Sequence, residues 1–414
     1  MKITGMKERG GKVWAPRRGG SPVGELGFWR AAARGAIEVG GTPCFVFAAD
    51  PLVEQVGRLE EAFAGLPVRH WWSFKTLPLR AVVEWWKRQG RPVEVVSEAE
   101  LKAVLELGFE PGSILVNGPA KHAWLGGYAV EGLRVNFDSV AEIRVLGRVA
   151  KKRRWRVGAR LSMATEENFE FPGVRAQFGL LAGEVSEAAV QMRKFGLEAE
   201  VVHFHLRTNV GEARYYRDAM ACAMALAEGV GWSVSILDIG GGFPPGRICT
   251  RGGLPLDAGF SLASMRGVVA EALARYGLRE LWMENGRWLT APGAVLAIKV
   301  LDIKDDPARG ARTLICDGGR TLQAMVATWE KHAITPLVDR RGRRVATLVH
   351  GPTCMAFDNL GLHDLPVGVK EGDVLLWWDA GAYQLSWETR FSHGLAAVAW
   401  VEGGRVTVVR HPGA

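Results

Sequence analysis

From residue 43 to about 290 the chain alternates short β-rich runs with amphipathic helical patterns, and this rhythm limits the possible folds more than any other feature. CFVFA, HWWSF, VEVVS, SILVN, LRVNF, WRVGARL, AEVVHFHL, SVSILDIGG and ELWMEN read as strands. Between them lie helices such as PLVEQVGRLEEAFAG, PLRAVVEWWKRQG, SEAELKAVLELG and YYRDAMACAMALAEGVG, the last stopped by glycine. About eight βα repeats over roughly 250 residues predict a TIM-like α/β barrel. After Pro292 the texture changes to strands separated by turns, from AVLAIKVLDIKD to LAAVAWVEGGRVTVV, and a separate C-terminal β domain is expected. The reading is thus a basic N-terminal segment, 1–42, partly joining the β domain, a barrel over 43–291, and a β-rich domain over 292–414.

With 414 residues, 48% hydrophobic and 23% charged, the chain can bury a large core. No apolar run approaches the roughly 20 residues of a membrane helix, and the amino terminus lacks a signal peptide's apolar core, so a cytoplasmic location and no membrane partner are expected. Five scattered cysteines suggest neither a disulfide framework nor a metal site. Much of the net charge of +8 sits in three clusters, Lys7 to Arg18, Lys151 to Arg156 and Arg340 to Arg344. They read as a mobile tail, the lead into a strand and a hairpin tip. Without a nucleic-acid module around them, solvated surface is the expectation.

Candidate chemistry gathers at the carboxyl ends of the strands, where barrel active sites form. Lys75 interrupts the apolar run HWWSFKTLPLR. Either it snorkels to water, or it delivers an amine into a pocket where desolvation lowers its pKa and permits a Schiff base. His203 and His205 alternate onto one face of VVHFHL. DIGGGFPPG places Gly240, Gly241 and Gly242 after a strand, where backbone amides can approach an anion, although plain turns also use such runs. ENGRW carries Glu284 and Arg287, GPTCMAFD carries Cys354 and Asp358, and DAGAYQLS carries Tyr383.

Taken in order, SFKT, VRAQFG, HFHLRT, DIGGGFP, ENGR, GPTC and GAYQLS resemble the fold type III pyridoxal-phosphate decarboxylases, the group of ornithine, diaminopimelate and biosynthetic arginine decarboxylases. The resemblance runs from about Thr42 to the carboxyl terminus, and its specificity lies in the ordered set. It implies an alanine-racemase-type barrel with a β domain, pyridoxal 5'-phosphate as cofactor, an amino-acid substrate, and a homodimer with shared active sites. Lys75 then resembles the lysine holding the cofactor as a Schiff base. His205 would stack on the pyridine ring, and Glu284 would pair with its nitrogen. Thr208, Gly240, Gly241, Gly242, Arg287 and Tyr383 would surround the phosphate end. Cys354 resembles the thiol supplied by the opposite subunit to protonate Cα after carbon dioxide leaves. Asp358 looks structural or interfacial, with Gln177 where the family has its partner lysine.

The departures concern specificity. The family's EPGR is ENGR here, and the glycine-serine after the stacking histidine is Arg207-Thr208, which brings a cation near the phosphate loop or the substrate mouth. Met355 stands where ornithine and diaminopimelate decarboxylases carry an acid for the substrate's distal amine, and a buried ammonium without that carboxylate is costly. TLQAMVATWEKH lacks the arginine and tyrosine that grip a distal carboxylate. The expectation is a decarboxylase with an intact cofactor end and an altered substrate end, with Met355, Arg207 and Asp358 as specificity candidates. A racemase or epimerase on the same fold, or a non-catalytic pyridoxal-phosphate-binding protein, are the alternatives.

Overall fold

The computed structural model describes residues 22–163, 174, 176–306, 311–323 and 329–413. The basic cluster Lys7 to Arg18 and parts of VRAQFG and TLQAMVATWEKH lie outside them. The chain divides into two compact units. One takes residues up to Ala49, Gly246–Leu256 and those from Pro292 on; the other takes Asp50–Pro245 and Asp257–Ala291.

The first elements, helix α1 (Pro22–Gly40) and strand β1 (Cys44–Ala48), belong to the sheet unit. This corrects the expected barrel start at residue 43. CFVFA pairs antiparallel with the strand after Pro292 and parallel with Ala397–Glu402, and all five of its residues are buried. Its uniform burial is what a parallel barrel strand also shows, so composition alone does not distinguish the two.

The second unit is a closed parallel barrel. After helix α2 (Ala49–Ala62) come β2 (Val68–Ser73), α3 (Arg80–Arg88), β3 (Val93–Val95), α4 (Glu98–Glu106), β4 (Ile114–Val116), β5 (Arg134–Phe137), α5 (Val140–Lys152) and β6 (Arg156–Arg160). Then follow α6 (Ala182–Lys194), β7 (Val201–His203), α7 (Ala213–Gly229) and β8 (Ile236–Asp238). A two-residue strand of the sheet unit, β9 (Cys249–Thr250), precedes α8 (Leu262–Tyr276) and β10 (Glu280–Glu284), and β10 pairs with β2 and β8 to close the ring.

Local sequence explains these elements. In α3, Val82, Val83, Trp85 and Trp86 form the buried face, with Lys87 and Arg88 at the carboxyl end where cations suit the helix dipole. Ser97 caps α4 by accepting from the Glu100 amide while Glu100 accepts from Val96 N–H, a reciprocal arrangement that satisfies two end donors. Inside the barrel, Trp71, Leu115, Val201, Ile236 and Trp282 form one apolar layer, with Trp71 and Trp282 at 4.9 Å between ring centroids. Because strand side chains alternate, the next inward position along each strand lies two residues on. There the layer turns polar: Ser73, Asn117, His203, Asp238 and Glu284. The site is therefore one pleat above a dry floor.

The sheet unit orders its strands β16-β15-β12-β11-β1-β18-β19, where β11 is Ala294–Asp306, β12 Ala311–Cys316, β15 Arg344–His350, β16 Asn359–Pro366, β18 Ala397–Glu402 and β19 Arg405–Arg410. A further strand, β17 (Val374–Trp377), pairs with β11 and with β14 (Ile334–Pro336), and β13 (Glu330–Lys331) pairs with β9. Helix α1 lays Trp29, Ala32, Ala33 and Ala36 on the sheet core of Cys44, Val46, Ala297, Leu376 and Ala399. RRGRR is not a hairpin tip: it joins Ile334–Pro336 to β15, and those strands pair with different neighbours. Among the described residues no helix is long and apolar enough to cross a membrane.

Candidate active site

Strand β2 stops at Ser73, and Lys75 rides on a short turn, Phe74–Thr76, rather than ending the strand itself. Its Nζ lies 2.9 and 3.1 Å from the two oxygens of Glu94, one of which also accepts from Ser73 Oγ at 2.7 Å. The Glu94 side chain is 1% exposed, that of Lys75 37%. A fixed, buried carboxylate thus holds an accessible amine, and the apolar run around Lys75 supplies the walls.

On β7, β8 and β10, three further buried groups meet. His203 Nδ1 lies 2.9 Å from Asp238 Oδ2 and 3.3 Å from Glu284 Oε1. Burial pushes His203 down to about 4, only partly opposed by Glu284, so the imidazole is neutral at ordinary pH. Burial pushes Asp238 up to about 7. It raises Glu284 well above the usual carboxylate range, with the Asp238 charge adding to the effect. Two carboxyl groups beside one neutral histidine favour retaining a proton between them.

His205 lies just past the end of β7. Gly241 N–H donates to its Nδ1 at 3.2 Å, and burial holds its pKa well below normal, giving a neutral, fixed ring. The glycine run packs so tightly that side chains are excluded. A Cβ on Gly240, which has φ 63°, would come within 2.7 Å of His205 Nδ1, and one on Gly241 within 2.4 Å of the Glu284 carbonyl oxygen. Glu284 N–H donates to Gly240 O at 2.9 Å, and Tyr216 OH to Gly241 O at 2.8 Å. Arg287 is half-buried at the start of a short helix, Arg287–Thr290. Thr208 and Arg207 are exposed, with the Arg207 guanidinium 5.6 Å over the Tyr215 ring.

Lys75, His205, the three glycines, Glu284 and Arg287 therefore share the barrel unit, whereas Cys354, Met355, Asp358 and Tyr383 belong to the sheet unit. Cys354 is an exposed thiol. Asp358 is buried and accepts from Arg320 N–H at 2.6 Å, Thr353 N–H at 3.1 Å and Thr353 Oγ1 at 2.6 Å, so its carboxylate ties the GPTC loop to the turn at Arg320. Tyr383 adopts φ 64° and stacks on Trp387 at 5.2 Å.

Sequence reasoning did not single out Glu94, Asn117, Asn136 or Asp238. Asn117 Nδ2 donates to Glu284 and, at 3.4 Å, to Glu94; Asn136 Nδ2 donates to Asn117 Oδ1 at 3.0 Å and to Asp238 at 3.3 Å. Each carries the same signal: one polar residue embedded in a buried strand or at its very end, as in VEV, ILVN, RVNF and ILD.

Residues 49–291 match the family model for the pyridoxal binding domain of pyridoxal-dependent decarboxylases. The chain belongs to that family, whose members are carboxy-lyases using pyridoxal phosphate. Across nearly its whole length it is similar to enzymes named diaminopimelate decarboxylase. It is 26% identical over 387 residues to that of Methanothermobacter thermautotrophicus, covering 89% of each chain, and 29% identical over 394 residues to that of Actinosynnema pretiosum, covering 88% of each. The crystal structure of a diaminopimelate decarboxylase from M. jannaschi shares the fold, with a TM-score of 0.80 over 92% of each chain at 20% identity. The cofactor suits the residues present: an accessible amine for its aldehyde, a buried carboxyl for its ring nitrogen, and a glycine run with no room for side chains.

Proposed function

We propose that the protein removes the α-carboxyl group of an amino acid as carbon dioxide, as a homodimer in which Cys354 of the partner subunit completes each site. The observation that carries this reading is Lys75 held by buried Glu94 in the same barrel as the carboxyl of Glu284. The bound cofactor would supply an electron sink for the pair left when the Cα–carboxyl bond breaks. Lys75 would hold the cofactor covalently, and Glu94 would keep the amine placed whenever substrate displaces it. Glu284 would sit against the ring nitrogen, oriented by neutral His203 and by Asp238. His205, fixed by Gly241 N–H, would lie flat on the ring and keep water from that face. Thr208, Gly240, Gly241, Gly242, Arg287 and Tyr383 would meet the phosphate. The Cys354 thiol would give its proton to Cα once carbon dioxide has gone, leaving the amine product and a thiolate to be reprotonated from water.

The relatives are named for diaminopimelate, but Met355 and the residues of TLQAMVATWEKH support a substrate whose distal end carries neither a paired ammonium nor a gripped carboxylate. Arg207 and its basic surroundings leave room for an acidic side chain. Carbon dioxide release is to be compared across basic, neutral and acidic L-amino acids and meso-diaminopimelate, for the native chain and for Met355→Glu. A charge-assisted hydrogen bond lost at the distal amine amounts to roughly one to two powers of ten in kcat/KM. Ornithine, lysine and diaminopimelate should fall short by that factor and regain it in Met355→Glu; efficient turnover of any of them by the native chain would refute the substrate reading.

A further inference from the structure

Two asparagines that no step above uses join the two ends of the site. Asn136 donates one N–H to Asn117 Oδ1 at 3.0 Å and another to Asp238 Oδ2 at 3.3 Å, while its own Oδ1 lies against Gly158, 2.3 Å from where a Cβ would stand. Only glycine at 158 leaves that seat open. With its oxygen taken by Asn136, Asn117 has one orientation left, and both N–H groups point to carboxyls: Glu94 at 3.4 Å and Glu284 at a shorter distance. All five side chains are buried. The result is an unbroken path, Lys75–Glu94–Asn117–Glu284–His203–Asp238, closed on itself through Asn136.

We infer that Asn117, seated by Asn136, is a positioning residue that couples the charge on Glu94, beside Lys75, to the charge on Glu284, beside the ring nitrogen. The argument rests on the cofactor placement proposed above only for what the two ends touch; the coupling itself belongs to the protein. An amide N–H can only donate, so the Asn117 N–H that reaches Glu284 opposes the upward push of burial on that carboxyl. A negative charge on Glu94 opposes one on Glu284 among these buried groups and so raises the proton affinity of Glu284. Glu284 is faced by Asp238 from β8, His203 from β7, Glu94 from β3 and Lys75 from the turn after β2; Asp238 and Glu94 raise its proton affinity, and His203 and Lys75 lower it. Arg160 and Asp138 act one step further away, through His203. Lys75 leaving Glu94 for the cofactor would therefore be felt at Glu284 without any movement of the backbone.

The test follows the Glu284 carboxyl by 13C NMR in cofactor-free protein labelled at glutamate Cδ, assigned with Glu284→Gln. In Asn117→Leu, which keeps the volume and removes both N–H donors, the Glu284 midpoint should rise by about one pH unit. In Glu94→Gln, which removes a repelling charge, it should fall. Asn136→Leu, which releases Asn117 to turn over, should move it in the same direction as Asn117→Leu. Midpoints unchanged within 0.3 unit in Asn117→Leu and Glu94→Gln, whatever the loss of thermal stability, would overturn the coupling. In loaded protein the pH at which the cofactor absorbance changes should move with the Asn117→Leu carboxyl shift, and a static band would equally overturn it. Failure of the cofactor placement shows separately, as wild-type protein that develops no Lys75-dependent band.

Discussion

Replacing Lys121 by methionine should cost the barrel about 3 kcal/mol. Lys121 Nζ lies 2.8 Å from Glu142 Oε2, and both side chains are 0% exposed. The pair bolts the turn after β4 to α5: Glu142 Oε1 accepts from Lys121 N–H at 2.7 Å, Oε2 accepts from Asp138 N–H at 2.8 Å, and Lys121 Nζ also donates to Gly118 O. Burial drives the Lys121 ammonium toward its neutral form and Glu142 opposes that, so neither charge is comfortable without the other. Removing one partner of such a pair costs roughly 3–5 kcal/mol. Glu142 would keep two backbone donors, which places Lys121→Met at the lower end. For a unit of this size the loss corresponds to a fall in Tm of about 6–12 °C. Scanning calorimetry of Lys121→Met, Glu142→Gln and the double variant checks it. The double variant should recover at least half the loss, because two neutral side chains strand no charge. A single-variant loss below about 1 kcal/mol, or a double variant no more stable than Lys121→Met, would refute the reasoning.

Borohydride reduction followed by peptide mapping should label Lys75, and Lys75→Ala should abolish the cofactor's absorbance band; label on another lysine would sink the assignment. Mixing inactive Lys75→Ala with inactive Cys354→Ala protein should regenerate activity through heterodimers with one intact site, and no recovery despite proven subunit exchange would count against shared sites. Gly241→Ala should weaken cofactor binding at least tenfold with the barrel still folded, since its Cβ would stand 2.4 Å from the Glu284 carbonyl oxygen; an unchanged Kd would contradict this. Burial lowers His363 to about 4, below its unfolded value of 6.5, so the unfolded chain takes up a proton that the folded chain refuses. Stability present above pH 6.5 should decline as pH falls toward 4, by about 3 kcal/mol from this residue, and His363→Gln should flatten that slope in denaturant titrations.

The barrel was legible because its rhythm is repeated: the β runs are short and apolar, and most are followed by a helix, although only short turns separate β4 from β5. Lys75, Glu284 and the glycine run were legible because a polar or glycine residue breaks an apolar pattern at a strand's end. Asn117 and Asn136 break the pattern too, yet each has a partner on a strand remote in sequence. Asn136 meets Asp238 across 102 positions and Asn117 meets Glu284 across 167, and only closure of the ring brings them together. The sheet to which CFVFA belongs was illegible for a related reason. An all-buried strand carries no outward face to report its surroundings, and its partners Ala294–Phe47 and Cys44–Ala397 arrive more than two hundred residues later.

That late pairing has a consequence for how the chain is made. Strand β1 leaves the ribosome ahead of both its neighbours with five apolar residues, sits between β11 and β18 in the finished sheet, and must wait for about 350 further residues before β18 exists, roughly 20–70 s at ordinary synthesis rates. Over that interval the barrel can assemble from segments that are already present, while CFVFA remains a short, sticky strand with both edges unpaired until β11 is made and one edge open until β18 follows. A holdase that shelters residues 44–48 during translation should raise the yield of native protein more than one that acts after release, and a polar substitution in β1 should harm the folded sheet while easing its wait.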